Sequence, residues 1–238
     1  MLSWRFDDGE VTAAFTDRAD GASAGPYAGL NLGGHVGDRP ADVRANRIAL
    51  AKALAISEVV YMNQVHGAEV ARVDRGAIAD PPTADAMITT ETDLALAVLV
   101  ADCTPVLLHD RAAEVIGVAH AGRPGLTTGV VPAAVAAMHD LGARDLEAIV
   151  GPSVCGRCYE VPLSMRAEAA AVSAVSAAIS WSGQAAIDVA AGVVEQLRSA
   201  AVPVTWVPGC TRESSDLYSY RRDGVTGRTA GVIVRRHR

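Results

Sequence analysis

Residues 94–121, LALAVLVADCTPVLLHDRAAEVIGVAHA, contain three apolar runs: Ala95 to Val100, Pro105 to His109 and Val115 to Ala119. The gaps between them are four and five residues long, whereas a crossover between parallel strands needs about a dozen residues or more. The runs therefore read as strands of an antiparallel or mixed sheet, not of a doubly wound parallel one. Outward from this block, strands are expected at Val11 to Phe15, Val59 to Met62, Glu69 to Val73, Ala86 to Thr89, Ala148 to Gly151, Val204 to Val207 and Gly231 to Val234. Apolar residues recurring at three- and four-residue spacing predict helices at Ala41 to Ala55, Pro132 to Leu141, Leu163 to Ile179 and Gln184 to Ala201. Arg221-Arg222-Asp223-Gly224 reads as a hairpin turn. No repeat or low-complexity linker interrupts the pattern, so residues 1–238 are expected to form one α+β domain.

The chain has 238 residues, half of them apolar, and a formal net charge of −6. That is enough apolar material for a full core, and without a basic excess no general nucleic-acid or anionic-membrane partner is expected. The longest apolar run, Leu94 to Leu108, contains Asp102 and falls short of the roughly 18 residues of a membrane span. The N-terminus, MLSWRFDD, reaches acidic residues before any hydrophobic stretch; no signal peptide is visible and a cytoplasmic location is expected. In that compartment the four cysteines read as ligands, nucleophiles or core residues, not disulfides. Lys52 is the only lysine, and no G-x-x-x-x-G-K-[ST] string occurs, so Schiff-base catalysis and a P-loop are both poorly supported. Phosphate or carboxylate would be held by guanidinium groups or backbone N–H.

Three segments end apolar runs with a potential ligand or nucleophile: Asn63-Gln64-Val65-His66-Gly67, Ala101-Asp102-Cys103-Thr104-Pro105 and Ala119-His120-Ala121-Gly122. Two imidazoles and a thiolate suit zinc with its fourth position open, the catalytic pattern. The separations of 37 and 17 residues match no compact metal-finger rule, so core packing of these side chains stays open beside the metal reading. A further reading makes Cys103 a nucleophile and His120 its base, with Asp102 or Asp85 orienting an imidazole. Gly21-Ala22-Ser23-Ala24-Gly25 matches G-x-S-x-G, but Pro26 follows and no helix pattern takes up after it. Cys155-Gly156-Arg157-Cys158 lacks a second C-x-x-C; a reduced loop pair is the default, a redox or structural-zinc role the alternative. Arg47 and Arg228 matter if folding brings them to the His66, Cys103, His120 set, where they would bind an anion.

Together the motifs resemble the YfiH/YlmD, or laccase-domain, family. The resemblance runs through Gly21 to Tyr27, Leu30-Asn31-Leu32-Gly33, His35-Val36-Gly37-Asp38, Asn46-Arg47, Asn63 to Gly67, Asp85-Ala86, Val100 to Pro105 and Val118 to Gly122. It continues through Gly151-Pro152-Ser153, Cys158-Tyr159-Glu160-Val161, Ser219 to Gly224 and Thr226-Gly227-Arg228. It implies layered helices and mixed sheets (α/β/β/α) related to cysteine-hydrolase toxins, with zinc at His66, Cys103 and His120. It also implies purine nucleoside phosphorylase activity on adenosine, inosine and methylthioadenosine, together with adenosine deaminase activity. Cys103, His66, His120 and Arg47 are the catalytic positions it implies; Ser23, Asn31, Arg47, Arg123 and Arg228 are the substrate contacts.

Some members of the family are described instead as copper-dependent polyphenol oxidases or as amidases editing peptidoglycan precursors. The first is disfavoured here, because several copper centres demand many imidazoles and only six histidines exist. A non-enzymatic regulator is the remaining alternative, suggested by one departure: the family's usual Trp-Arg after His-Ala-Gly is Arg123-Pro124 in this chain.

Overall fold

The computed structural model describes residues 1–237; the last position of the expected 1–238 span lies outside the described residues. The strands are β1 (Leu2–Asp7), β2 (Val11–Thr16), β3 (Glu58–Val60), β4 (Val70–Arg72), β5 (Ala86–Thr89), β6 (Leu94–Val100), β7 (Thr104–Asp110), β8 (Val115–Ala121), β9 (Glu147–Val150), β10 (Ala177–Ile179), β11 (Ala185–Ile187), β12 (Val204–Trp206) and β13 (Thr229–Arg235). The helices are α1 (Pro40–Ala53), α2 (Arg123–Thr128), α3 (Val130–Asp140), α4 (Leu163–Val172), α5 (Val189–Ser199) and α6 (Tyr220–Asp223). One mixed sheet has the order β1-β2-β13-β6-β3 and a second the order β12-β9-β7-β8-β5-β4; β10 and β11 form a separate hairpin.

The period-two alternation of β6 explains how the layers stack. Leu94, Leu96, Val98 and Val100 join the core between the two sheets, while Ala95, Ala97 and Leu99 pack with Leu50 and Leu54 at the α1 side. In the second sheet, Ile116 and Val118 face the first sheet, and Val115, Ala119 and Ala121 pack with Val131, Val135 and Val193 of α3 and α5. The result is helix, sheet, sheet, helices, the layered class expected above. Strands buried on both faces read as continuous apolar runs, which is why the 94–121 block is so hydrophobic. No described helix is long and apolar enough to cross a membrane.

Three expected elements are corrected. The helix over Leu163 to Ile179 stops at Val172, because Ser173 is extended (φ −146°) and Ala177–Ile179 pairs antiparallel with Ala185–Ile187. The helix expected from Gln184 begins only at Val189, where the Asp188 carboxylate accepts the Ala191 N–H at 2.9 Å and caps it. Arg221 to Gly224 is no hairpin turn: Ser219 Oγ accepts the Arg222 N–H at 3.2 Å and starts the short α6. Strand β1 and helix α2 were not expected.

Candidate metal centre and active site

The register of the second sheet assembles the expected ligands. The β7–β8 ladder pairs Thr104 with Ala121 and Pro105 with His120, so Cys103, one residue before β7, sits beside the end of β8. Strand β5 pairs Ala86 with Ala119, which sets Asp85 level with His120; the His120 N–H donates to the Asp85 carbonyl at 2.7 Å. His66 enters from the loop before β4, and one ligand atom from each of His66, Cys103 and His120 lies within 4.8 Å of the others.

Asp85 organises this centre. It is fully buried, and its carboxylate accepts the backbone N–H groups of Val65 (3.1 Å), His66 (2.9 Å) and Gly67 (2.7 Å). That clamp holds His66 at φ +62°, a left-handed conformation uncommon outside glycine and characteristic of functional sites. The same carboxylate lies 2.8 Å from His120 Nδ1, which leaves Nε2 as the free ring nitrogen. Gln64 secures the other side of the loop: its amide donates to the Leu99 carbonyl at 2.7 Å and accepts the Leu99 N–H at 2.8 Å.

Burial alone would raise the Cys103 thiol, but the charge of His120 and hydrogen bonds from His120 and His66 outweigh it and bring Cys103 down to about 6. Burial likewise disfavours the His120 imidazolium, yet the Cys103 charge and the Asp85 carboxylate raise it to about 9. Without metal, thiolate and imidazolium therefore coexist between pH values of about 6 and 9. An ion bound at Nε2 must displace the His120 proton, so metal capture strengthens as pH rises. Iodoacetamide labelling of the metal-stripped chain, read by peptide mass spectrometry, should show Cys103 reactivity rising through pH about 6. A midpoint near 9, the ordinary thiol value, would contradict the ion pair.

Gly122 follows the ligand strand with no space for a side chain. A Cβ there would stand 2.9 Å from His66 Cδ2 and 3.0 Å from Cys103 Sγ. Gly122→Ala should displace both ligands and weaken metal binding by about 10–100-fold, the range for lost support around a metal site, as read by competition with a chromogenic chelator.

The three ligands open into a cavity of about 360 Å³, whose walls include His35, Arg123, Tyr159, Tyr220, Arg221 and Arg228. Arg123 and Arg228 line this cavity together with the three candidate ligands. Ser23, Asn31 and Arg47 do not line the cavity. Ser23 Oγ donates to Asp38 at 2.6 Å, and Asn31 Nδ2 donates to the same carboxylate at 2.8 Å. Asn31 Oδ1 in turn accepts the Arg228 N–H at 2.8 Å, so this buried network positions Arg228 from behind. Arg47 spends Nε and Nη2 on the Leu32 carbonyl (3.0 and 2.8 Å) and stacks 3.8 Å over the Tyr61 ring.

Asp102 is also a tether: at φ +93° its carboxylate accepts Thr211 Oγ1 (2.6 Å), Ser219 Oγ (2.7 Å) and the Arg221 N–H (2.6 Å). It thereby fixes the segment that brings Tyr220 and Arg221 to the cavity, two residues that sequence reasoning missed. Arg123, at the start of α2, pairs with Glu168 at 3.5 Å, and Pro124 fits the first turn, where a missing N–H costs nothing.

A family model described as multi-copper polyphenol oxidoreductase laccase matches residues 12–236. This chain belongs to the laccase-domain, YfiH/YlmD family. Among its relatives, a Streptomyces griseus protein called purine nucleoside phosphorylase ORF3 is 55% identical over 94% of each chain. Two solved structures share the fold. Neisseria meningitidis protein NMB0706 superposes with a TM-score of 0.89 at 33% identity, covering 98% of this chain and 99% of its own. YlmD from Geobacillus stearothermophilus gives 0.88 at 31%, covering 96% and 93%.

The donor set of this laccase-domain chain fits a single ion. Two imidazoles and one thiol converge, with Asp85 fixing one ring and the cavity on the open side. Of the other histidines, His35 lines the cavity, His109 is buried and stacked on Phe6, and His139 Nδ1 contacts the Ala143 carbonyl at 2.8 Å. These ligands suit one zinc or copper ion, not a cluster of several coppers.

Proposed function

We propose that this laccase-domain chain is a zinc-dependent purine nucleoside phosphorylase acting on adenosine, inosine and methylthioadenosine. The observation that carries the proposal is the opening of a His, Cys, His set into a cavity walled by Arg123, Arg221 and Arg228 beside two tyrosines. The name of the Streptomyces relative supports the same reading. When bound, the ion supplies Lewis-acid polarisation of a substrate oxygen.

Arg228 holds phosphate in this scheme. Its Nη1 is bonded to the Thr226 and Gly227 carbonyls at 3.0 and 2.9 Å, which fixes the guanidinium plane and leaves its other edge for the anion. Arg123 and Arg221 add charge from the facing walls, and Tyr159 and Tyr220 offer rings to the purine. Burial and the charges of Arg228 and Arg47 hold His35 below its ordinary value, so a neutral imidazole is available to hydrogen-bond substrate. A phosphate oxygen forms a bond to the ribose anomeric carbon as the carbon–nitrogen bond to the purine breaks. The bonding pair leaves with the purine, and the proton of hydrogen phosphate balances it. Four free thiols fit a reducing compartment, and we assign the reaction to the cytoplasm.

Purified chain incubated with adenosine should release adenine and ribose 1-phosphate only when phosphate is added. Inosine formed without phosphate would mark the deaminase activity expected from the resemblance. Unchanged adenosine, with oxygen uptake on phenols or cleavage of a cell-wall amide instead, would overturn the proposal.

A further inference from the structure

We infer that Cys155, Cys158, Cys210 and Glu213 form a second, structural zinc site. Their ligand atoms all lie within 4.8 Å of one another, and all four cysteines of the chain are free thiols. The sequence hides this arrangement, since the partner of Cys155-x-x-Cys158 is Cys210-x-x-Glu213, a second pair with a carboxylate in the last place. Three sulfurs and one oxygen are a four-ligand set without a vacancy, the pattern of structural rather than catalytic zinc.

The local backbone gathers these side chains. Cys155-Gly-Arg-Cys158 closes as a turn, the Cys158 N–H donating to the Cys155 carbonyl at 2.9 Å, and the Cys155 N–H points at Cys210 Sγ at 3.4 Å. Cys158 Sγ lies 3.2 Å from Glu213 Oε1, which also accepts Trp181 Nε1 at 3.1 Å and is thereby aimed. In the absence of an ion, burial and the crowding of Cys210 and Glu213 keep the Cys155 and Cys158 thiols protonated. Zinc would bind as these protons pass to solvent. Cys155 and Cys210 also line a cavity of about 450 Å³ that gives an ion a way in.

The consequence for the laccase-domain site is mechanical. The ion would join the 153–159 segment, which carries Tyr159, to the 209–222 segment, which carries Tyr220 and Arg221, and all three residues wall the main cavity. Ser153 and Cys210 already share a bridge, and Arg221 lies 4.9 Å over the Tyr159 ring. Nothing in the inference depends on the reaction in that cavity.

The test uses the full Cys103→Ala chain, which leaves only two imidazoles at the first centre. Given excess Zn²⁺ under reducing conditions and then desalted, it should retain about one zinc per chain, lost on adding Cys158→Ser. Co²⁺ in place of zinc should give thiolate-to-cobalt charge-transfer absorption. If Cys158→Ser fails to fold, thiol titration of the folded Cys103→Ala chain gives the same reading: three thiols protected by zinc and released by chelator. No retained zinc with three freely reactive thiols, or a Cys155–Cys158 disulfide in the zinc-treated chain, would overturn the inference.

Discussion

Phosphorolysis by the Cys103→Ala chain is expected to fall at least about a hundredfold in kcat/KM, because a catalytic metal contributes several kcal/mol and each 1.36 kcal/mol is tenfold. The substitution removes the only thiol at the centre and, with it, the charge that most strongly holds His120 protonated. The fold should survive, because Cys103 sits at the partly exposed mouth of the sheets and not within the β7–β8 ladder. Steady-state kinetics alongside circular dichroism separate the two effects. Turnover equal to wild type would show that the thiol takes no part.

Asp85→Asn is expected to reduce both stability and metal affinity. An amide keeps one acceptor oxygen where a carboxylate now receives three backbone N–H groups and His120 Nδ1. Breaking a buried charged network of this kind costs about 3 kcal/mol. At about 2–4 °C per kcal/mol for a chain of this size, Tm should drop by about 10 °C. The His66 loop then loses its reason to stay at φ +62°, and zinc affinity should fall about 10–100-fold. The pH sign is fixed by Asp85 itself. Burial would raise its carboxyl, but hydrogen bonds from His120, Gly67 and Val65 hold it below the ordinary 3.8. Its stabilisation is thus complete above pH about 4 and lost as pH falls further, so the wild-type and Asp85→Asn stabilities should converge in acid. A constant gap down to pH 2 to 3, read from urea unfolding, would contradict this role.

The strands were legible where burial on both faces leaves an unbroken apolar run, as in β6, β7 and β8. Alanine-rich stretches misled, since alanine suits either a helix or the small hairpin of β10 and β11, and only Ser173 and Asp188 mark where one gives way to the other. The candidate ligands were readable as residue types and through the family resemblance, not through spacing. Their 37- and 17-residue separations are spanned by strand register and by the Asp85 clamp, which no local pattern announces. The family resemblance implies Ser23, Asn31 and Arg47 as substrate contacts, and in the structure they stand outside the cavity lining. Their partners turn out to be Asp38, the Arg228 backbone and the Leu32 carbonyl. Glu213 was invisible as a candidate ligand because only Cys210 is near it in sequence, while Cys155 and Cys158 lie 58 and 55 residues away.

The most direct test of the central claim follows phosphate itself. Wild-type chain turning over adenosine in isotopically labelled phosphate should place the label in ribose 1-phosphate, one for each adenine released, and both products should vanish in Cys103→Ala. Adenine accompanied by unlabelled free ribose, or label incorporation undiminished in Cys103→Ala, would contradict a phosphorylase built on His66, Cys103 and His120.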